Sequence, residues 1–332
     1  MVEPLLHVKN LSKRFVSKQV TVHAVSDVSF SIKEGETIGI VGESGCGKTT
    51  LGRSIVRAID ANEGEVLYRT AAGEVVDFLQ LSAKELKPIR KEIQMIFQDP
   101  YSSLDPRMTV LDIISEPLKA NYPRMPKSER EGLVMKIAER TGLNPSYLKR
   151  YPHAFSGGQR QRIGIARALV LRPRLIVCDE AVSALDVSIK AQVINLLKEL
   201  QGEMALTYIF ISHELSVVEY ISDQVGVMYL GKLVEYAPTR ALYRTPKHPY
   251  TEALLSSVPI ADPDAVLKQI PLEGEIPNPS NPPSGCFFHP RCRYATELCK
   301  REAPPYVESG AGHSVACHRH RDLTLQGIAH DA

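Results

Sequence analysis

Gly42-Glu43-Ser44-Gly45-Cys46-Gly47-Lys48-Thr49-Thr50 follows directly on the apolar run Thr37-Ile38-Gly39-Ile40-Val41. The first eight of these residues, Gly42 to Thr49, satisfy the GxxxxGKS/T pattern. The order of buried strand, glycine loop and helix is the context that makes such a pattern a phosphate site. Glycines at 42, 45 and 47 let the backbone turn successive N–H groups toward a phosphate, and the helix starting near Lys48 adds the positive end of its dipole. Lys48 would reach the β- and γ-phosphates, and the Thr49 hydroxyl would ligate Mg²⁺. A chance lysine in a glycine-rich turn does not reproduce the full pattern in this setting. Residues 42–50 are therefore expected to bind a nucleoside triphosphate.

A phosphate loop alone leaves kinases, GTPases, helicases and transport ATPases open, and further elements narrow the choice. Leu175-Ile176-Val177-Cys178-Asp179-Glu180 is a second apolar run, ending in two carboxylates. Asp179 is placed to complete the Mg²⁺ shell, and Glu180 to orient or deprotonate the attacking water. Ser156-Gly157-Gly158-Gln159 precedes a helical run from Arg160 to Val170; a serine and two glycines opening a helix form another anion-binding N-terminus. Ser183-Ala184-Leu185-Asp186 follows the carboxylate pair within a few residues. His213 comes just after the strand Thr207-Tyr208-Ile209-Phe210-Ile211, at the carboxyl edge where open α/β sheets bind ligands. Gln98 follows the strand Ile93-Gln94-Met95-Ile96-Phe97 and is a candidate to meet Mg²⁺ or the water. An acidic pair often ends a strand, and a lone histidine is more often structural than catalytic. The order of the parts is what carries the argument.

At 332 residues, one domain with an extension or two domains are expected. The net charge of +2 comes from 40 basic and 38 acidic residues of interspersed sign, so nothing suggests a nucleic-acid surface. No apolar stretch approaches the roughly 20 residues needed to span a bilayer, and Met1-Val2-Glu3-Pro4 lacks the apolar core of a signal peptide. A soluble, intracellular protein is expected, with any membrane role coming through partners. Val22 to Ile32 alternates as an antiparallel strand, and Gly64 to Leu79 holds two short β runs around Gly73. Between Gln98 and Ser156 the pattern turns helical, with Val110-Leu111-Ile113-Ile114 and Leu133-Val134-Ile137-Ala138 at helical spacing. Strands near 175–178, 207–211 and 224–229 then alternate with helices near 187–201 and 214–221, which implies a largely parallel, doubly wound α/β core.

The order of these motifs resembles that of ATP-binding-cassette (ABC) ATPases over roughly residues 5–237. The resemblance implies an ABC-type P-loop nucleotide-binding fold, with a RecA-like core, an antiparallel β subdomain and a helical subdomain. It implies that Gly42 to Thr50 is the Walker A loop and Gln98 the Q-loop glutamine. Ser156, Gly157, Gly158 and Gln159 become the family signature, and Asp179 with Glu180 the Walker B aspartate and catalytic carboxylate. Ser183 to Asp186 becomes the D-loop, and His213 the switch histidine at the γ-phosphate. Phe15 stands where the family puts an aromatic that stacks on adenine. Mg²⁺ would be held by Thr49, Gln98 and Asp179. In this family ATP is sandwiched between the Walker A loop of one subunit and the signature of another. One chain with one of each therefore needs a second cassette, identical or homologous.

Asp99-Pro100-Tyr101-Ser102-Ser103-Leu104-Asp105-Pro106-Arg107-Met108-Thr109-Val110 resembles the corresponding stretch in ATPase subunits of oligopeptide and dipeptide importers, where it faces the transmembrane subunits. His248-Pro249-Tyr250-Thr251-Glu252-Ala253-Leu254-Leu255 is similar to that group's C-terminal hallmark. Ala154 stands where Glu is usual and Ala181 where Pro is usual; neither supplies a catalytic group, so hydrolysis is not in doubt.

From about Pro271 prolines crowd a linker-like stretch, and four of the six cysteines follow: Cys286, Cys292, Cys299 and Cys317. Cys46 and Cys178 lie inside the ATPase motifs and read as passive small residues. Disulfides are disfavoured in an intracellular protein, so clustered cysteines read as a metal site, with thiolates suiting either Zn²⁺ or an iron–sulfur cluster. The spacings lack the CxxC pairs typical of structural zinc. Gly285 to Cys292, Cys299 and Val315-Ala316-Cys317-His318 resemble the extension of peptide-importer ATPases, some of which carry a [4Fe–4S] cluster, and this resemblance implies such a cluster here. The expected organisation is an ATPase domain over 1–237 and an extension over 238–332. The expected role is the ATP-hydrolysing subunit of a peptide importer at the cytoplasmic face of the inner membrane. Its expected partners are a second ATPase subunit, two transmembrane permeases and, indirectly, a substrate-binding protein. An importer of nickel or another small solute is the rival within the family. A soluble ABC protein of repair or translation is the rival outside it, and the chain lacks the coiled-coil insertion or tandem cassettes such proteins carry.

Overall fold

The computed structural model describes residues 3–17, 20–99, 101–259, 269–310 and 312–328; Met1, Val2 and Pro100 of the stretches quoted above lie outside them. In chain order the strands begin with β1 (Leu6–Val16), β2 (Thr21–Ile32), β3 (Thr37–Val41), β4 (Glu63–Arg69), β5 (Val75–Asp77) and β6 (Ile93–Ile96). They continue with β7 (Leu175–Asp179), β8 (Thr207–Ile211), β9 (Gln224–Tyr229), β10 (Lys232–Pro238), β11 (Val307–Glu308) and β12 (Ser314–Val315). The helices are α1 (Lys48–Ile55), α2 (Ala83–Ile89), α3 (Val110–Asn121), α4 (Lys127–Arg140) and α5 (Gly157–Leu169), then α6 (Val187–Met204), α7 (Leu215–Ile221), α8 (Thr239–Arg244), α9 (Pro249–Leu255) and α10 (Glu297–Arg301). The chain divides into two compact units: Met1–Leu6, Ile32–Glu36 and Leu67–Ile211 form one, and His7–Ser31, Thr37–Val66 and Ser212–Ala332 form the other.

In the first unit β6, β7 and β8 run parallel, with Ile96 opposite Cys178 and Asp179 opposite Ile211. Every residue of β7 and β8 is buried. That is why these strands read as continuous apolar runs: a parallel strand covered on both faces has no solvent side on which to alternate. The helical part is built by α3, α4 and α5, whose buried residues recur at three- and four-residue steps, as with Val110, Ile113 and Ile114 in α3. The helix of the Ser-Gly-Gly-Gln segment starts at Gly157, earlier than its apolar pattern indicates. Ser156 caps it in a reciprocal box with Gln159, so the glycines fall in the first turn.

In the second unit β3 runs parallel to β9, with Ile38 opposite Gln224 and Val41 opposite Val227. Antiparallel β10 follows β9, then β12 and β11. β1 has no counterpart in the sequence reading. Leu6 and Val8 are buried, then the phase slips to Leu11 across Asn10, whose φ of 48° breaks the alternation. The C-terminal segment is fastened to this unit by two buried carboxylates. Glu235 accepts from the backbone N–H groups of Lys247 (2.6 Å) and His248 (3.0 Å) and pairs with His313 Nε2 at 2.7 Å. Glu252, 2% exposed, receives Arg293 (3.0 Å), the Tyr294 hydroxyl (3.2 Å) and the Gln326 N–H (2.9 Å). No helix among the described residues is long and apolar enough to cross a membrane.

His248 caps α9, its Nδ1 accepting the Tyr250 N–H at 3.1 Å. Burial lowers its pKa from 6.5 to about 3. The unfolded chain takes up this proton near pH 6.5 and the native chain does not, so stability falls as pH drops through that window, by up to about 1.4 kcal/mol per pH unit. Thermal melts at pH 7 and pH 5 should show a smaller loss for His248→Asn, which keeps a capping acceptor without the titration. Equal losses in the two proteins would contradict this reading.

Candidate functional site

The loop Gly42–Thr50 belongs to the second unit, between β3 and α1. Gly42, Gly45 and Gly47 all have positive φ, at 149°, 81° and 105°. At two of them the space is closed as well. A Cβ on Gly42 would lie 2.2 Å from the Met228 carbonyl oxygen, and one on Gly47 would lie 2.0 Å from the Ala24 carbonyl oxygen. The Lys48 side chain is drawn inward (the residue is 4% exposed), and its Nζ donates to the carbonyls of Gly42 (2.7 Å) and Glu43 (2.9 Å). No side-chain hydrogen bond caps α1 at Gly47, and the positive end of a helix dipole favours an anion there. Ser44 and Gly45 are exposed, Thr49 and Thr50 half-buried, and Cys46 is buried with its thiol pKa raised by desolvation. A main-chain cradle, an inward lysine and an uncapped helix start fit a triphosphate.

The same unit holds His213 and Phe15. The Ser212 N–H donates to the Ile40 carbonyl at 3.1 Å, which sets exposed His213 near the C-terminal end of β3. Phe15 is 45% exposed with Lys13 Nζ 5.1 Å from its ring centre, so its face is not spent on the core.

Two long-range partners of the loop have no sequence signal. Tyr250 Oη accepts the Glu43 N–H at 2.9 Å, and Arg291 forks onto the Glu43 carboxylate at 2.7 and 3.0 Å. They lie 207 and 248 residues away, beyond the reach of any local pattern.

The first unit carries the carboxylates and the signature. Asp179 closes β7 fully buried. Glu180 follows at φ 48°, left-handed for a residue with a side chain, at a cost of about 1–3 kcal/mol. Its N–H donates to the Ile211 carbonyl at 3.0 Å, and Gln98 Nε2 donates to its Oε2 at 2.8 Å. The structure thus brings together the glutamine and the carboxylate that sequence order alone placed 82 residues apart. Ser156 and Gln159 are exposed, whereas Gly158 is buried against Ile189, where a Cβ would approach Cγ2 to 2.3 Å. Asp186 Oδ1 accepts the Ile189 N–H at 3.0 Å and so caps α6. The stretch after Gln98 packs on α5: the Arg160 guanidinium lies 4.1 Å from the centre of the Tyr101 ring, and Arg167 donates to the Ser103 carbonyl at 2.6 Å.

The [4Fe–4S] expectation is corrected. Among the described residues no group of three or more His, Cys, Asp or Glu side chains is arranged to hold a metal ion, which removes the zinc alternative as well. Cys286, Cys292, Cys299 and Cys317 line a cavity of about 20 Å³, room for roughly one water and far too small for a cuboidal cluster. Burial raises the Cys286 thiol and pushes those of Cys292 and Cys317 up to about 11 and about 12, so at neutral pH these groups are protonated thiols. Cys299 Sγ lies 3.3 Å from the Thr296 hydroxyl, within hydrogen-bonding reach. These cysteines pack as small side chains.

A P-loop, a strand-end carboxylate pair and a serine-capped glycine helix on a largely parallel sheet define a nucleotide-binding cassette. The ABC transporter family model matches residues 25–183, and that of the oligopeptide/dipeptide transporter C-terminal region matches residues 234–299. The chain is 55% identical to the oligopeptide transport ATP-binding protein AppF of Bacillus subtilis, over 92% of each chain. It is 52% identical to the oligopeptide transport ATP-binding protein OppF of Haemophilus influenzae, over 93% of this chain and 92% of that one. The dimeric structure of the bacterial ABC transporter cassette MJ0796 superposes with a TM-score of 0.64 at 29% identity, covering 71% of this chain and 99% of that one. The chain belongs to the ABC transporter ATPases, in the group of oligopeptide transport ATP-binding proteins. It is accordingly an ATPase that uses ATP with Mg²⁺.

Gly47→Ala should weaken binding of a fluorescent ATP analogue at least about tenfold, since the added Cβ must push main chain or loop aside. Near-normal affinity would show that the loop has slack the contacts do not indicate.

Proposed function

We propose that this chain is the ATP-hydrolysing subunit that powers import of di- and oligopeptides through an ABC transporter. The observation that carries the reading is similarity running unbroken from the phosphate loop into the C-terminal region, over 92% of both this chain and AppF. Residues 1–237 serve as the ATPase domain and 238–332 as the extension. Lys48 and the loop N–H groups hold the β- and γ-phosphates, and Thr49, Gln98 and Asp179 hold Mg²⁺, which neutralises charge on the phosphates when bound. Glu180 takes the proton of the attacking water, with the Gln98 amide fixing its carboxylate at 2.8 Å. His213 steadies the γ-phosphate, and Phe15 stacks on the adenine. Ser156, Gly157 and Gly158 present a helix N-terminus to ATP held by a second cassette, and Asp186 caps the next helix, α6.

Two cassettes closing on ATP and parting after hydrolysis would drive two permeases, so the chain works at the cytoplasmic face of the membrane without entering it. A heterodimer with a homologous subunit is the proposed assembly, and a binding protein delivers the peptide.

In the complex with its partner ATPase and permeases, Glu180→Gln should bind ATP normally yet hydrolyse it about a hundredfold more slowly, whereas Lys48→Ala should lose affinity itself. Turnover by Glu180→Gln near the wild-type rate would remove Glu180 as the base.

A further inference from the structure

The carboxylate of Glu43 stands on the loop that must receive a polyanion. Left unpaired it would repel the phosphates, and the repulsion would be strong because the surroundings are partly desolvated. The structure meets it from the C-terminal segment. Arg291, with a side chain 5% exposed, sits in the turn His289–Arg291 between Cys286 and Cys292 and holds Glu43 through both terminal nitrogens. A bidentate fork fixes direction as well as charge. Hydrogen bonding to Glu43 raises the Arg291 pKa further, so the cation persists at any working pH.

The backbone of the same residue is held too. Its N–H donates to Tyr250 Oη at 2.9 Å and its carbonyl accepts Lys48 Nζ at 2.9 Å. Tyr250 is kept in place by rings rather than by loops: Tyr229 at 4.8 Å and Phe288 at 5.3 Å between centroids. Phe288 comes from the cysteine-bearing segment, two residues after Cys286. Glu43 is therefore gripped at its N–H and its carboxylate by residues C-terminal to the ATPase motifs.

We propose that Arg291 and Tyr250 are positioning residues for the ATP phosphates: Arg291 neutralises and turns aside the Glu43 carboxylate, Tyr250 fixes the loop backbone, and ATP affinity thereby depends on the C-terminal segment. The proposal rests on assigning Gly42–Thr50 to ATP, and Lys48→Ala tests that assignment separately.

The experiment measures ATP-analogue affinity of the full chain, and KM and kcat of the assembled complex. Arg291→Gln should weaken ATP about tenfold and raise KM by a similar factor, with kcat within about twofold, because Arg291 touches no reacting atom. The defect should shrink as salt rises from about 50 to about 500 mM, as electrostatic repulsion does. Adding Glu43→Gln to Arg291→Gln should restore most of the affinity, since the repelling charge is then gone. Tyr250→Phe, which keeps the ring and loses the acceptor, should raise KM by a smaller factor. Wild-type affinity in Arg291→Gln, or no recovery in the double variant, overturns the proposal. If Arg291→Gln does not fold, Tyr250→Phe decides: an unchanged KM overturns the proposal. Loss of binding in Lys48→Ala together with wild-type binding in Arg291→Gln would sink the positioning role and leave the ATP site standing. Unchanged binding in Lys48→Ala would sink the site itself.

Discussion

The phosphate loop is hemmed in by main chain on two sides, and much of the second unit exists to keep it so. Gly47 lies under the Ala24 carbonyl at the start of β2, and Gly42 lies under the Met228 carbonyl near the end of β9. The Gly231 N–H then donates to the Cys46 carbonyl at 2.9 Å, and the Ser26 N–H donates to the Gly231 carbonyl at 2.8 Å. The loop is thus bonded into the turn between β9 and β10, which is in turn bonded to β2. Such contacts allow no Cβ, so the glycines are dictated twice, by positive φ and by approach distance. A cradle fixed by backbone does not have to be reorganised when a polyanion arrives, and preorganisation of this kind is what an anion site in water needs.

The first unit solves a different problem, holding carboxylates ready at a strand end. β7 and β8 are buried throughout and pair in register up to Asp179 and Ile211. The chain must then leave the sheet at once. Glu180 does so in the left-handed region while its N–H still reaches the Ile211 carbonyl, a strained turn retained because it sets the carboxylate against Gln98. Ser183 Oγ donates back to the Glu180 carbonyl at 3.0 Å, and Asp186 caps α6 three residues later. The order of the segment is thus also its folding logic: strand, strained turn, hydroxyl support, cap.

What the sequence showed clearly was whatever is local. The glycine loop and the apolar runs of β3, β7 and β8 are each written within a few residues, and all stand where their patterns put them. β1 escaped because Asn10 shifts the phase of its alternation. The start of α5 was read late because Gly157 and Gly158 look like a loop until the cap is seen. The partnership of Glu43 with Tyr250 and Arg291 was illegible for a stronger reason: it joins segments that no spacing rule connects. The metal reading of the four cysteines failed through the converse error. Proximity in sequence and even in space does not make ligands when, among the described residues, the side chains are not arranged around a metal and the cavity between them holds about one water.

Buried carboxylates give the C-terminal segment its cohesion. The segment has short strands, β11 and β12, of two residues each. Glu235 and Glu252 each gather three donors, drawn from both α9's neighbourhood and the segment beyond residue 285. A buried carboxylate held by three donors is costly to strip of a partner, because the charge is then left less compensated away from water. Such anchors favour one docked arrangement over many loosely packed ones. That specificity is what Arg291 requires, because a fork onto Glu43 has value only if the turn carrying it always returns to the same place. The hydrogen-bonded carboxylates of the tail and the cradle of the phosphate loop are in this sense one system: the first fixes where the arginine stands, and the arginine fixes what charge the loop presents.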